Sequence, residues 1–563
     1  MIRHALNKTT AQPRGARRWP LLHISALSLL ALALGLPIAA GLGQTLITGA
    51  PDLGAAWHGP SLGRTVFTAL MATGAGFLAA LGLAACFHGR VRLLTWLSLP
   101  LLAVPHAAVA QALGLLLAPS GFGVRFLSPW ATGYDRPPID WLWDQHPAGW
   151  TLIIALAIKE LPYFLILIFT YTPAMATHPS RAMAAGLGYG PVCAWWHGIL
   201  PLILPRLILP IFIVLTFTVS VVDVAAVVGP SRIKTFALNL QAAWSHDTSR
   251  SQVLAGASWL VLVTLVLLGF VWLFVKIMER HLRRAYAWRR SWPAMGLPQF
   301  GAALGLGLLA LAYISLLVLP LQSLITTTGR QIPFPDLGAG ALDTHAWGQA
   351  LDLALPTLPL TLAIAMSATI LSLGFALCLL EGEARADQRR GQIDILLLVP
   401  LLVPQFAFLG GGAFLGLKLG LIPAQGFGVA IWFHSFFVFP YVFLILAPAF
   451  RGLSPTYLRA AASLGLGPNA QFWRLKIPIL LRPLVFSAAW GMAVSLALYL
   501  PTFFASGGRF ETLLSVGVTQ LAGKGDRVRA VWGLLLLILP LCFFMGAALI
   551  SAWQARNRRG LRT

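Results

Sequence analysis

The stretch AAGLGYGPVCAWWHGILP (184–201) recurs as AASLGLGPNAQFWRLKIP (461–478), 277 residues further along the same chain. Eight of the eighteen positions are identical: the Ala pair, Leu-Gly, Gly-Pro, one Trp and the closing Pro. Each copy interrupts long apolar runs with Gly and Pro, so the chain repeats a break in its pattern as well as the pattern. The repetition continues outward. ELPYFLILIF from Glu160 matches VFPYVFLILA from Val438, and SRIKT ending at Thr235 matches GRFET ending at Thr512. Upstream, LPLLAVPH around Pro105 matches VPLLVPQ around Pro404 at a separation of 299, because an outer loop at about 119–148 has a short counterpart near 418–425.

The apolar runs set the environment. Of 563 residues, 58% are hydrophobic and 10% charged, with a mean hydropathy of +0.79. A soluble domain carries about 25% charged residues, so this is the composition of a membrane protein. A span needs about 20 mostly apolar residues. Twelve segments qualify: 20–43, 63–87, 93–118, 149–173, 202–225, 252–277, 298–322, 349–380, 393–417, 426–449, 480–503 and 529–552. The run 349–380, with Pro356 and Pro359, is long for one straight span, and part of it is expected along the interface. The basic stretch before 20–43 precedes a run too long for a signal-peptide core, so it reads as a retained first span. Runs of this length fit helices, whereas barrel strands of about 10 residues would alternate in polarity.

With both termini cytoplasmic, inner segments hold 27 Lys and Arg and outer loops 11. That bias accounts for most of the +23 net charge as membrane anchoring and leaves no role for nucleic acid. The four cysteines form no close pair, so they read as packing residues ahead of a disulfide framework or a zinc site. The expectation is an all-α polytopic membrane protein of about 12 transmembrane helices in two homologous six-helix halves. The first half is 1–278, with a cytoplasmic connection at 176–201. A basic cytoplasmic linker follows at 279–296, then the second half at 297–563, with its connection at 453–478.

Both repeated stretches fall between the fourth and fifth span of a half. Ala, Leu and Gly there suit a short helix with a nearly bare face, and Gly190-Pro191 and Gly467-Pro468 are expected to force a turn. The pattern resembles the cytoplasmic signature of permeases in binding-protein-dependent ABC importers: Glu-Ala-Ala, three residues, Gly, nine residues, Ile-x-Leu-Pro. It maps onto Ala182, Met183, Ala184, Gly188, Gly198, Leu200 and Pro201, and onto Arg459, Ala460, Ala461, Gly465, Leu475, Ile477 and Pro478. The double length looks like the fused permeases of iron(III) and thiamine importers, and VVDVAAVVGP from Val221 and LPTFFASGGRFETL from Leu500 look closest to YnjC-type permeases. The resemblance implies a multi-pass inner-membrane subunit whose two loops form coupling helices, each seated on one of two copies of an ABC ATPase. It further implies a periplasmic solute-binding protein, a small solute, and alternating access. ATP and Mg would bind the partner ATPase, since no G-x-x-x-x-G-K-[ST] loop exists in this chain. The chain departs from the signature where Ala182 and Arg459 replace the Glu, so the two dockings are expected to differ.

Ionisable residues inside spans are candidates for a translocation path. Lys159 and Glu160 are adjacent on the fourth span, about 100° apart, so each is expected to find its own partner. They serve as a structural cap near Pro162 or line the path. Asp223 near the outer end of the fifth span and His434 in the tenth raise the same choice, His434 reading first as a hydrogen-bonded packing residue. Arg232 and Arg509, matched across the halves, read first as outer-surface anchors, or else as contacts for an anionic substrate or a binding protein. No catalytic or metal-ligand constellation emerges, so an enzyme is disfavoured. The competing reading, an ion-coupled secondary transporter with 6+6 helices, has no use for twin Gly-to-Pro loops.

Overall fold

A computed structural model of the chain describes residues 35–44, 58–136, 138, 149–172, 186, 188–230, 232–246, 250–287, 296–325, 342–386, 397–422, 426–519 and 524–556. Among them every regular element is a helix, apart from one antiparallel bridge between Ile325 and Leu342. Nine helices are long and apolar enough to cross a membrane, ten if the bent pair Pro468–Ile479 and Leu481–Leu496 is one span. Of the expected first span, only 35–44 is described; it is helical, α1.

The first half continues with α2 (His58–Cys86), α3 (Val91–Ala103), α4 (His106–Leu117), α5 (Phe122–Leu127) and α6 (Trp150–Tyr171). Then come α7 (Pro191–Gly198), α8 (Leu200–Ser220), α9 (Asp223–Val228), α10 (Phe236–Trp244) and α11 (Arg250–Ala287). The second half opens with α12 (Leu297–Leu324), α13 (His345–Ala386), α14 (Val399–Leu402), α15 (Gln405–Lys418) and α16 (Gly426–Arg451). It closes with α17 (Pro455–Ser463), α18 (Pro468–Gln471), α19 (Leu481–Leu496), α20 (Leu500–Ser506), α21 (Leu513–Thr519) and α22 (Asp526–Arg556).

Several expected spans are broken rather than straight. The segment 93–118 splits into α3 and α4 because Pro105 has no N–H and pushes Val104 into extended backbone, ψ 130°. The matching segment 393–417 splits in the same way at Val403, ψ 131°, before Pro404. The fifth span ends at Ser220, Val221 is extended, and α9 starts anew; α19 and α20 repeat that arrangement with a break at 497–499. Elsewhere the helices outrun the expectation. α13 is continuous for 42 residues through Pro356 and Pro359. Inside that stretch the Thr357 and Thr361 hydroxyls donate to the carbonyls of Ala354 and Thr357, at 2.9 and 2.7 Å. α11 runs 38 residues and carries helix into the basic stretch expected as linker.

Packing repeats with the sequence. α2 lies along α6 as α13 lies along α16, and α8 packs on α11 as α19 packs on α22. Two contacts cross between the halves in matching fashion: α22 against α4, and α11 against α15. α12 belongs by sequence to the second half yet packs along α2 and α4 of the first. Small residues permit this approach, since a Cβ on Gly301 would lie 2.6 Å from the Leu78 carbonyl oxygen. The described part of α1 makes the reciprocal crossing, with Gly41 against Gly411 of α15.

Candidate functional site

The second repeated stretch is described throughout. Ser454 caps α17, accepting a hydrogen bond from Thr456 N at 3.3 Å, and Pro455 follows at the first helical position. At the other end Gly465 adopts φ +80°. Its N–H donates to Ala462 O and the Leu466 N–H donates to Ala461 O, both at 3.0 Å, a Schellman closure. Gly188 in the first copy has φ +81°. The turn expected at the Gly-Pro pairs is therefore made two residues earlier, where only Gly adopts left-handed backbone without strain. Gly190-Pro191 and Gly467-Pro468 instead open the next helices, with Pro at the first position of α7 and of α18. Among the expected coupling residues, Ala182 and Ala184 (with Met183) lie outside the described residues. Leu200 and Pro201 are buried at the start of α8.

Beyond the glycines the two copies part. α17 is exposed nearly all round: Arg459 and Ala460 face out, and Ala461 is its buried residue. Tyr457 is 59% exposed, Leu464 81% and Trp473 68%, so an apolar rim surrounds the Gly465 turn. Past α18 the chain forms a π-helical turn, Phe472–Lys476, and one further turn holding Ile477 and Pro478, then bends by 73° into α19. In the first copy α7 leads almost directly into α8. Trp195, Trp196 and His197 are buried, and α7 packs on α2 and α11. Trp196 and Trp473 are matched residues, one inside and one outside.

Between the halves lies a cavity of about 170 Å³. Its wall includes His106, Lys159, Glu160 and Tyr163 from the first half and Gln405 and Tyr441 from the second. Tyr163 and Tyr441 are matched at 278 residues, and His106 and Gln405 at 299, so matched positions of the two halves line the same cavity. Lys159 and Glu160 do take separate partners. The Lys159 ammonium donates to the carbonyls of Leu101 and Val104, at 2.6 and 2.5 Å, capping the C-terminus of α3 where Pro105 interrupts the ladder. Glu160 Oε1 lies 3.4 Å from His106 Nε2, at the first residue of α4. One adjacent pair thus ties both sides of the break, and Phe437 and Val438 stand at the matching places in the second half.

His434 is fully buried and satisfied, with Nδ1 2.8 Å from Ser495 Oγ and Nε2 3.1 Å from Thr502 Oγ1. It spans the break between α19 and α20 and stands apart from the cavity wall. Asp223 starts α9, buried and also off the wall. Arg232 and Arg509 are exposed. The tyrosine pair was visible in the matched Pro-Tyr dipeptides but carries no charge to draw notice. His106 follows the Pro that breaks the third span, and only the fold brings it to Glu160.

No protein-family model matches the chain. Over 513 residues, covering 89% of this chain and 89% of the relative, it is 28% identical to the inner membrane ABC transporter permease protein YnjC of Escherichia coli (strain K12). The shared length takes in both repeated stretches, both halves and the apolar helices that carry them. Along most of its length the chain is thus similar to an inner membrane ABC transporter permease, and its described residues supply the long apolar helices of a multi-pass membrane protein.

Proposed function

We propose that the chain is the membrane subunit of an ATP-driven importer, in which 176–201 and 453–478 each dock one ABC ATPase subunit. ATP and Mg bind those partners, and a periplasmic binding protein delivers a small solute. Closure of the ATPases pulls the docking segments, and the halves alternate about the central cavity. The observation that carries this reading is the segment at Gly465. A helix with apolar Tyr457 and Leu464 on its exposed surface, stopped by a left-handed Gly, is displayed outside the bundle rather than folded against it. Exposed apolar rims of this kind mark interaction surfaces. The two matched glycines with φ +81° and +80° support a pair of such sites.

The test is co-purification of a co-expressed ABC ATPase with this chain. Leu464→Asp places a charge at an 81% exposed position, so the bundle is expected to fold normally while ATPase recovery falls at least tenfold. Undiminished recovery, with hydrolysis still responding to the solute-loaded binding protein, would sink the docking assignment.

A further inference from the structure

We propose that the inner end of α13 is an ionic clasp through which the second docking segment drives that helix, with Glu381 and Glu383 as its two positioning residues. The inference rests on the reading of α17 as an ATPase-docking helix. Glu381 is 4% exposed and accepts from Lys476 Nζ at 2.6 Å and from Arg385 Nε at 2.7 Å. Arg385 in turn donates to Asn469 Oδ1 at 3.1 Å. Lys476, 6% exposed, closes the π-helical turn and also stands 5.3 Å over the Phe450 ring. Glu383 takes the Arg451 guanidinium at 2.8 and 3.1 Å, and Arg451 is the last residue of α16. The two carboxylates therefore grip the chain just before α17, at Arg451, and after it, at Asn469 and Lys476.

Such a grip fixes geometry more tightly than apolar contact. Side-chain ridges can slide past one another, whereas separating a buried charge pair leaves each ion unsolvated, a penalty of several kcal/mol per ion. A displacement of α17 is passed to α13 before the clasp opens. α13 then carries it outward: 42 residues span about 63 Å at the helical rise. Its outer part holds α21, because Thr361 Oγ1 accepts the Leu513 N–H at 2.9 Å.

The first half repeats the outer staple and not the clasp. Thr65 Oγ1 of α2 accepts the Phe236 N–H of α10 at 2.8 Å, the matched contact. At the inner end Ile199, 1% exposed, stands in the place of Lys476, and α7 meets α2 through apolar packing. One half transmits by charge and the other by shape.

The test uses the permease assembled with its ATPase in lipid vesicles, its four cysteines replaced by Ser and one thiol introduced at Arg509→Cys or Arg232→Cys. The rate of modification by a membrane-impermeant maleimide is read with and without ATP and vanadate. In the native background both positions are expected to change rate on trapping. In Glu381→Gln with Lys476→Met, which removes both buried charges together, the Arg509→Cys response is expected to shrink at least fivefold. Read at equal amounts of bound ATPase, the Arg232→Cys response stays as it was, and Lys476→Arg, which keeps the charge, keeps the Arg509→Cys response. A full Arg509→Cys response in the neutral pair overturns the clasp, as does equal loss at both positions. Failure of the ATPase to bind the native chain overturns the docking reading and the clasp's role with it; the maleimide result alone overturns only the clasp.

Discussion

The two repeated segments share a glycine turn and differ, among the described residues, in how the chain after it is held. Each places a Gly with φ near +80° and then a Gly-Pro that opens the next helix. After that, the first segment folds inward on Trp195 and Trp196, and the second stands out on Trp473, Arg474 and Arg459. A duplicated fold thus keeps its backbone punctuation and changes how the punctuated piece is held.

The largest expected effect tests the difference in burial. Trp196→Ala empties a 6% exposed site, and removing a buried Trp costs about 3–5 kcal/mol. Trp473→Ala alters a side chain 68% exposed, so thermal unfolding in detergent is expected to drop by several degrees for the first variant and to stay level for the second. Equal drops would mean that the two segments are packed alike. A smaller effect tests the shared part. Gly188→Val and Gly465→Val each force a branched side chain into left-handed backbone, at about 1–2 kcal/mol. Here the two losses are expected to match, and a loss confined to one half would show that the turns are not equivalent.

The smallest effect concerns pH. Burial holds the His197 imidazole below its usual value. A base whose folded value is lowered contributes its full stability above the unfolded value, about 6.5, and loses it as pH falls through that range. The unfolding midpoint should therefore fall between about pH 7.5 and 5.5, and His197→Gln should flatten that slope. An unchanged slope in His197→Gln would remove His197 from the account.

Much of this architecture was legible in one dimension. Apolar run lengths gave the helices, and separations of 277 and 278 gave the duplication, because burial in lipid leaves a long, low-charge signature. The turn in the repeated stretch was placed two residues late: Gly-Pro is a conspicuous dipeptide, while a positive φ at Gly188 or Gly465 has no mark of its own. The third and ninth spans hid their breaks, since Pro also occurs inside the continuous α13 at 356 and 359. Whether a Pro breaks a helix here depends on partners such as Lys159, which satisfies the carbonyls left by the break. The ion pairs of Glu381 and Glu383 join residues 95 and 68 apart, and no local pattern announces a contact of that range.

The crossing of α12 onto α2 has a consequence in time. Gly301 must settle beside Leu78 and Gly82, but it leaves the ribosome roughly 200 residues later, some tens of seconds at about 5–20 residues per second. Through that interval α2 sits in the bilayer with an empty glycine notch, filled by lipid or by whatever helix is at hand. The first half is then an unfinished object until the second begins to arrive. Joining both in one polypeptide guarantees that the helix that fits the notch follows on the same chain.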